Sequence, residues 1–530
     1  MPKLLALLLL TASAAAGAAT SAASGPGPFV FSNDRGPWPV GVQVKAQYDT
    51  TRVYRPAFDM LTGQPETHER ARPIQSITWY PASAKGKPLT WRDYMATKAT
   101  EDTFWLTPAE VQRAVEADLA GNTAGLAPSI ANKVLAQPMW ASRDVPAAAG
   151  KFPVVIYAPS HSAMAAENVD LCEYLASHGY IVIASRSMGP RSKTMTTDLE
   201  GLEAQAGDIA FLIGQAHAMP QADMSRIAVA GFSWGGLANV LAAAKDDRIR
   251  ALVSLDGSVR YWPQYVDGGK DAAKYAVPAR LAVPMLFVGR ERDSTETLVK
   301  EKKKLDFSML NQMTYADMTI VTMRPMTHTD FAAVSQHFAN DAHFGEYSRD
   351  EVSMAYSWTA RYVERFLDAY LKNDAQAMAF LDNKPSANRA PAHMLAVERR
   401  KGAGIPPTKE AFVRTLQSDG YEHAQEVYDR MHAANPDFTL EPIWLNVYGY
   451  ELLRSGRKKE AVPIFRLGTK LEPTWGDIAD SLAEAYEAVG ERQLAIDEYR
   501  RALSIDPAIG HAIERLKALE GAPAAKAIGG

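Results

Sequence analysis

One serine, fenced by glycines between an apolar strand and a small-residue helix, constrains this chain more than any bulk property does. The stretch is RIAVAGFSWGGLANVLAAA, from Arg226 to Ala244. Ile227 to Ala230 reads as a buried strand, and Gly235 to Ala244 as a helix whose small residues let it lie close to a sheet. Between them Gly231-Phe232-Ser233-Trp234-Gly235 spells G-x-S-x-G. In a sharp strand-to-helix turn the middle residue is forced into a strained backbone, and flanking glycines relieve the clash with neighbouring elements. The gain is a hydroxyl held at the carboxyl end of a sheet, beside a helix amino terminus whose free N–H groups receive negative charge. Ser233 is therefore the candidate nucleophile.

A serine needs a histidine to take its proton and an acid to orient that histidine, in the chain order Ser, acid, His for this kind of turn. Three histidines follow Ser233 within the α/β region: His328, His337 and His343. His328 directly follows an apolar strand and is the candidate base, with Thr327 and Thr329 as local hydrogen-bonding groups. His337 and His343 read as surface residues. Two acids end successive strands, Asp256 in SLDGS and Asp293 in GRERD. Asp256 is favoured because its context is apolar, whereas Asp293 sits among Arg290, Glu291 and Arg292. Asp293 stays open as the alternative. The oxyanion needs two donors: the backbone N–H of Trp234 and one from the loop APSHSAM, supplied by His161 or its neighbour Ser162. No His-Glu pair at zinc spacing and no phosphate-binding glycine loop is present, and no cofactor or metal is expected.

At 530 residues the chain exceeds one compact core. From about Gly36 to Leu381 strands alternate with helices, the pattern of a mostly parallel α/β sheet covered on both faces. Residues 90–150 form a mostly helical, polar insertion, either a cap over the site or a surface decoration. Residues 383–406 are rich in Pro, Ala and Gly and read as a linker between a domain at 24–382 and a helical region at 407–520, with a disordered tail at 521–530. In the helical region Gly456 and Gly490, Ala461 and Ala495, Phe465 and Tyr499, and Pro473 and Pro507 each recur 34 positions apart. That is the tetratricopeptide (TPR) period, whose helix pairs stack and offer a surface for a protein partner or for self-association. A looser earlier copy carries Gly420, Ala424 and Pro436.

The opening, MPKLLALLLLTASAAAGAATSAASG, reads as a signal peptide over 1–23, cleaved after Ala18 or Ala23. Its leucine run is too short for a membrane-spanning helix, so no integral membrane segment is expected after its removal. Cys172 is the only cysteine, which excludes an intramolecular disulfide; none follows the leader, as a lipid anchor would need. The expectation is a periplasmic or secreted protein of bacterial type. With 57 Lys plus Arg against 61 Asp plus Glu there is no basic stripe, and nucleic acid is not an expected partner.

LASHGY, GFSWGG, LDGS and MTHTDF resemble the α/β-hydrolase branch of platelet-activating-factor acetylhydrolases and dienelactone-hydrolase-like esterases. The acetylhydrolase likeness implies Ser233 as nucleophile, His328 as base, Asp256 as acid, and Trp234 and His161 as oxyanion donors; the dienelactone likeness implies Asp293 as acid. The resemblance implies cleavage of an acetyl or short-acyl ester, small or lipid-like. The family's glycine-bearing oxyanion loop is Pro159-Ser160-His161-Ser162 here. A serine peptidase, and a binding scaffold with an inactive hydrolase part, are the alternative readings.

Overall fold

The computed structural model describes residues 29–59, 61–261, 276–302 and 309–521. The stretch 1–23, expected to be a signal peptide, and nearly all of the tail expected at 521–530 lie outside the described residues. The chain divides into two compact units: one combines the stretch up to Gly269 with Met285–Leu305 and Thr319–Arg399, the other Lys270–Pro284, Asp306–Met318 and Arg400–Gly530.

The first unit is built on a sheet of eleven strands in the order β11-β10-β9-β8-β7-β5-β6-β2-β1-β4-β3. Its parallel centre is β6 (Ile181–Ser185), β5 (Phe152–Ala158), β7 (Ala222–Phe232), β8 (Ile249–Leu255) and β9 (Met285–Arg290). Strands β5, β6 and β8 are short runs of Val, Ile, Leu and Ala, buried along nearly their whole length, as helices on both faces require. Two longer strands, β1 (Val40–Val53) and β2 (Ala71–Pro81), form an antiparallel hairpin that joins the sheet through β2 and β6. Strand β10 is Met318–Met323. Helices Val169–Ser177, Leu199–His217, Trp234–Lys245 and Arg349–Leu371 belong to this unit. Cys172 is buried and free. No helix among the described residues is long and apolar enough to cross a membrane.

One reading of the sequence needs an addition and another a correction. The insertion at 90–150 carries helices Trp91–Thr97, Pro108–Thr123 and Pro128–Leu135, but its end returns as strand β4 (Pro138–Arg143), which pairs with β3 (Pro88–Thr90) and runs parallel to β1. The short apolar run Met139-Trp140-Ala141 was hidden by its polar surroundings. Likewise the stretch 383–406 is not a plain linker. Leu395–Arg400 is strand β11 at the sheet edge beside β10, where Arg324 N–H donates to the Met394 carbonyl at 2.9 Å. Its Leu-Ala-Val core is three residues long, too short to stand out among Pro and Gly.

The insertion is tied down by a buried carboxyl. Glu173 accepts hydrogen bonds from the Tyr94 hydroxyl and the Trp140 N–H, both at 2.6 Å. Burial pushes the Glu173 carboxyl up from 4.5 to about 7.

The second unit is helical over Lys409–Asp419, Ala424–Ala434, Pro442–Arg454, Lys458–Leu471, Gly476–Val489, Arg492–Ile505 and Gly510–Gly521. The 34-residue pairs fall at equivalent places. Gly456 and Gly490 follow helix ends at φ 82° and 87°, the left-handed region that favours glycine. Ala461, Ala495, Phe465 and Tyr499 are fully buried. A Cβ on Gly449 would lie 2.5 Å from the Phe465 ring, so a glycine on one helix admits the aromatic of the next.

Two outcomes follow from these contacts. The unfolded Glu173 carboxyl loses its proton near 4.5 and the folded one near 7, so its stabilising contribution is full below 4.5 and lost as pH rises through 7. Urea unfolding of Glu173→Gln beside the wild type, at pH 4.5 and pH 8, should show the wild type losing on the order of 3 kcal/mol relative to the variant. Phe465→Ala should destabilise the helical unit by about 3–5 kcal/mol, read as a lower thermal transition by circular dichroism.

Candidate active site

Strand β7 ends at Phe232 and helix Trp234–Lys245 begins one residue later, so the whole reversal falls on Ser233. Its backbone stands at φ 53° and ψ −113°, outside the regions an L-residue prefers. The turn closes only because its neighbours lack side chains. A Cβ on Gly231 would lie 2.6 Å from the Gly235 carbonyl, and one on Gly235 would overlap the Ala158 carbonyl oxygen of β5. One on Gly236 would lie 2.5 Å from Ser254 Oγ. Backbone bonds fix the turn: Ser233 N–H donates to the Leu255 carbonyl at 3.0 Å, and Ser258 N–H donates to the Ser233 carbonyl at 3.1 Å.

Three predicted residues come together in a line. Ser233 Oγ lies 2.8 Å from His328 Nε2, and His328 Nδ1 lies 2.5 Å from Asp256 Oδ2. Asp256 follows β8 directly, at φ 41°, with its N–H donating to the Val288 carbonyl at 2.6 Å. Its second oxygen accepts from the Arg290 N–H at 3.2 Å. Its carboxylate is almost fully buried, and the Phe232 ring lies 5.0 Å from the His328 ring.

Asp293 does not reach His328. It follows β9 in a single turn, Glu291–Asp293, and its carboxylate takes the Arg290 guanidinium at 2.6 and 2.8 Å. That guanidinium in turn stands 3.6 Å from Asp256 Oδ2. Asp293 thus neutralises the cation beside Asp256.

His328 opens a short turn, His328–Phe331, whose geometry is set by Asp330. Asp330 Oδ2 accepts from Thr327 N–H at 2.6 Å and Thr327 Oγ1 at 2.7 Å, and its Oδ1 lies 2.8 Å from His343 Nε2. The hydrogen bond to Asp330 raises the His343 pKa above its ordinary value. Thr329 Oγ1 lies 3.3 Å from His343 Nε2. His343 is partly exposed, in keeping with its surface reading, but the surface reading of His337 needs correcting. His337 is buried, pairs with Asp170 at 3.0 Å and packs on Phe29 and Trp91. Its burial was hidden because its carboxylate partner is set by the fold.

The loop after β5 lies against the same turn, where a Cβ on Gly235 would stand 2.6 Å from the Pro159 carbonyl oxygen. The His161 and Trp234 rings stand edge to face, 6.4 Å between centroids. Trp234 is the first residue of its helix, where the backbone N–H has no intrahelical acceptor. In the loop, Ser160 N–H donates to Glu167 Oε2 at 2.9 Å, and its hydroxyl bonds the other oxygen. Burial pushes the Glu167 carboxyl up to about 7. Sequence reasoning missed Glu167, Asp330 and Arg290, because nothing local marks them as neighbours of the serine. Among the described residues no group of three or more His, Cys, Asp or Glu side chains converges as a metal site would.

The family model described as Chlorophyllase matches residues 125–258, a stretch that contains Ser233 and Asp256 and stops short of His328. No curated protein matches the chain. Among solved structures, the ferulic acid esterase from Streptomyces cinnamoneus is 18% identical, with a TM-score of 0.49 over 70% of this chain and 99% of that one. The family match supports a carboxylic-ester hydrolase of α/β fold.

Proposed function

We propose that this protein is a serine esterase working through an acyl-enzyme, with Ser233 as nucleophile, His328 as general base and Asp256 as the acid that orients it. The observation that carries the reading is the unbroken series Ser233 Oγ, His328 Nε2, His328 Nδ1 and Asp256 Oδ2, at 2.8 and 2.5 Å. Ser233 Oγ attacks the ester carbonyl carbon while its proton passes to His328 Nε2. The carbonyl oxygen becomes an oxyanion received by the Trp234 N–H and the His161 N–H. Collapse expels the alcohol, protonated by His328, and water then repeats the sequence on the acyl-enzyme. Asp256 keeps the Nδ1–H tautomer and balances the imidazolium charge. The acyl group is acetyl or a short chain, by the acetylhydrolase likeness of GFSWGG, LDGS and MTHTDF. The leader sends the enzyme to the periplasm or medium, and the TPR-like helical unit gives it a surface for a protein partner or a second copy.

The test is hydrolysis of a chain-length series of p-nitrophenyl esters, beside fluorophosphonate labelling of the protein. Ser233→Ala should lose about 10⁵-fold or more in kcat and all labelling. Asp256→Asn should lose roughly 10³- to 10⁴-fold, whereas Asp293→Asn should stay within about 10-fold of wild type. A wild type that neither hydrolyses these esters nor takes the label would overturn the reading.

A further inference from the structure

The loop Ser160–Ala165 does without glycine where its geometry calls for one. Ser162 stands at φ 61°, a backbone conformation that costs a non-glycine residue about 1 kcal/mol or more. Something else must hold it there, and the contacts show what does. Arg186, just beyond β6, donates from Nη2 to the Ser162 carbonyl at 2.8 Å. Its Nη1 donates to Glu101 Oε2 at 2.9 Å, and Glu101 Oε1 accepts the Ala165 N–H at 2.7 Å. One carboxylate therefore grips the loop twice, directly at Ala165 and through the arginine fork at Ser162.

Glu101 comes from the insertion. That segment reads as mostly polar, yet Glu101 is completely buried. A buried carboxylate and a buried guanidinium are each expensive to desolvate, and the pair persists only where both find partners. The turn that delivers Glu101 is itself anchored: Gln75 Nε2 donates to the Thr97 carbonyl and Thr100 Oγ1 donates to Gln75 Oε1, both at 2.8 Å. Arg55 Nη2 donates to the Asp102 carbonyl at 2.9 Å, and Lys193 pairs with the Asp102 carboxylate at 3.0 Å.

The result bears on the oxyanion. Within the loop, Glu167 takes the Ser160 N–H, the Ser160 carbonyl takes the Ala163 N–H, and Glu101 takes the Ala165 N–H. The Ser162 carbonyl goes to Arg186 and the Ala163 carbonyl accepts from Ser187 N–H at 3.0 Å. Among the described residues the N–H groups of His161 and Ser162 are left without a protein acceptor.

We propose that Glu101 is a positioning residue for ester cleavage: with Arg186 it holds Ser162 in the left-handed conformation and so aims the His161–Ser162 amides at the developing oxyanion. The inference rests on the serine-esterase reading above. It gives the insertion a role other than cap or decoration, because one of its side chains braces the catalytic loop from inside the fold.

The experiment compares the full-length wild type with Glu101→Gln, Glu101→Gln/Ser162→Gly and Glu173→Gln. A p-nitrophenyl ester supplies kcat and KM. An alkyl trifluoromethyl ketone adds Ser233 Oγ to its carbonyl carbon, sends the serine proton to His328 and leaves an oxyanion in the hole; the matching non-fluorinated ketone forms no such adduct. Glu101→Gln should lose about 30- to 100-fold in kcat with KM within about 3-fold, in the range for a lost or misplaced oxyanion donor. The trifluoromethyl ketone should weaken by the same factor and the plain ketone should not. Ser162→Gly in the Glu101→Gln background should restore part of the loss, since glycine takes φ 61° unaided. Glu173→Gln, which alters another tether of the insertion, should leave kcat and both inhibitors unchanged. If Glu101→Gln does not fold, Arg186→Lys keeps the charge, loses the fork to Ser162, and should show the same selective loss. A folded Glu101→Gln with wild-type kcat, or with both ketones weakened equally, overturns the proposal while the esterase reading stands. A wild type without Ser233 labelling overturns both.

Discussion

Ser233 holds a backbone conformation that an L-residue does not choose, and the surrounding architecture is arranged to make that conformation unavoidable. Strand β7 runs parallel between β5 and β8, so the chain emerges at the carboxyl edge of the sheet with neighbours on both sides. The helix that follows must fold back over the same sheet at once. Ala158 on β5 and Ser254 on β8 stand where Cβ atoms on Gly235 and Gly236 would go. The three glycines are therefore consequences of how closely the helix lies on the sheet. The strain is confined to the one residue whose hydroxyl is presented.

The same edge decides which aspartate meets the histidine. Both candidates end parallel strands, so topology alone treats them alike. What separates them is the first step beyond the strand. Asp256 leaves β8 in a positive-φ conformation with its N–H bound to the Val288 carbonyl, which turns its side chain toward His328. Past β9 the chain first places Arg290 and then winds through one tight turn, and Asp293 is spent on that arginine. The apolar setting of LDGS and the charged setting of GRERD were legible hints of this outcome, because a lone buried carboxylate needs one strong partner while a charged cluster satisfies itself.

What the sequence made legible is what repeats or lies close along the chain. Hydrophobic runs located β7 and the strands that end before Asp256, Asp293 and His328, and the residue types of G-x-S-x-G located the turn. The 34-residue recurrence located Gly456 and Gly490 at helix ends and Phe465 and Tyr499 in the helical core. The misses share a physical cause. Strand β11 is an edge strand and β4 lies one strand in from the other edge, and the apolar run of each is three residues long, below what periodicity separates from background. His337, Glu167 and Glu173 are buried through partners that only the fold supplies, such as Asp170 beside His337 and Trp140 beside Glu173. A pattern read along one chain sees neither the partner nor the burial.

Ser233 and Ser162, like Asp256 at this edge, are non-glycine residues at positive φ, and the first two are held by opposite means. Around Ser233 the restraint is steric and local: glycines permit the approach, and the packed sheet and helix leave no other path. Around Ser162 it is electrostatic and remote, through Arg186 from the end of β6 and Glu101 from the insertion. The first kind leaves a motif because it constrains residue types at fixed spacing. The second leaves none, because any element able to deliver a carboxylate to Arg186 would serve. A steric turn tolerates changes in distant segments, whereas an ion-paired loop ties its own shape to whatever segment supplies the charge. In this chain the segment least readable from sequence is thereby joined to the residues that its motif identifies.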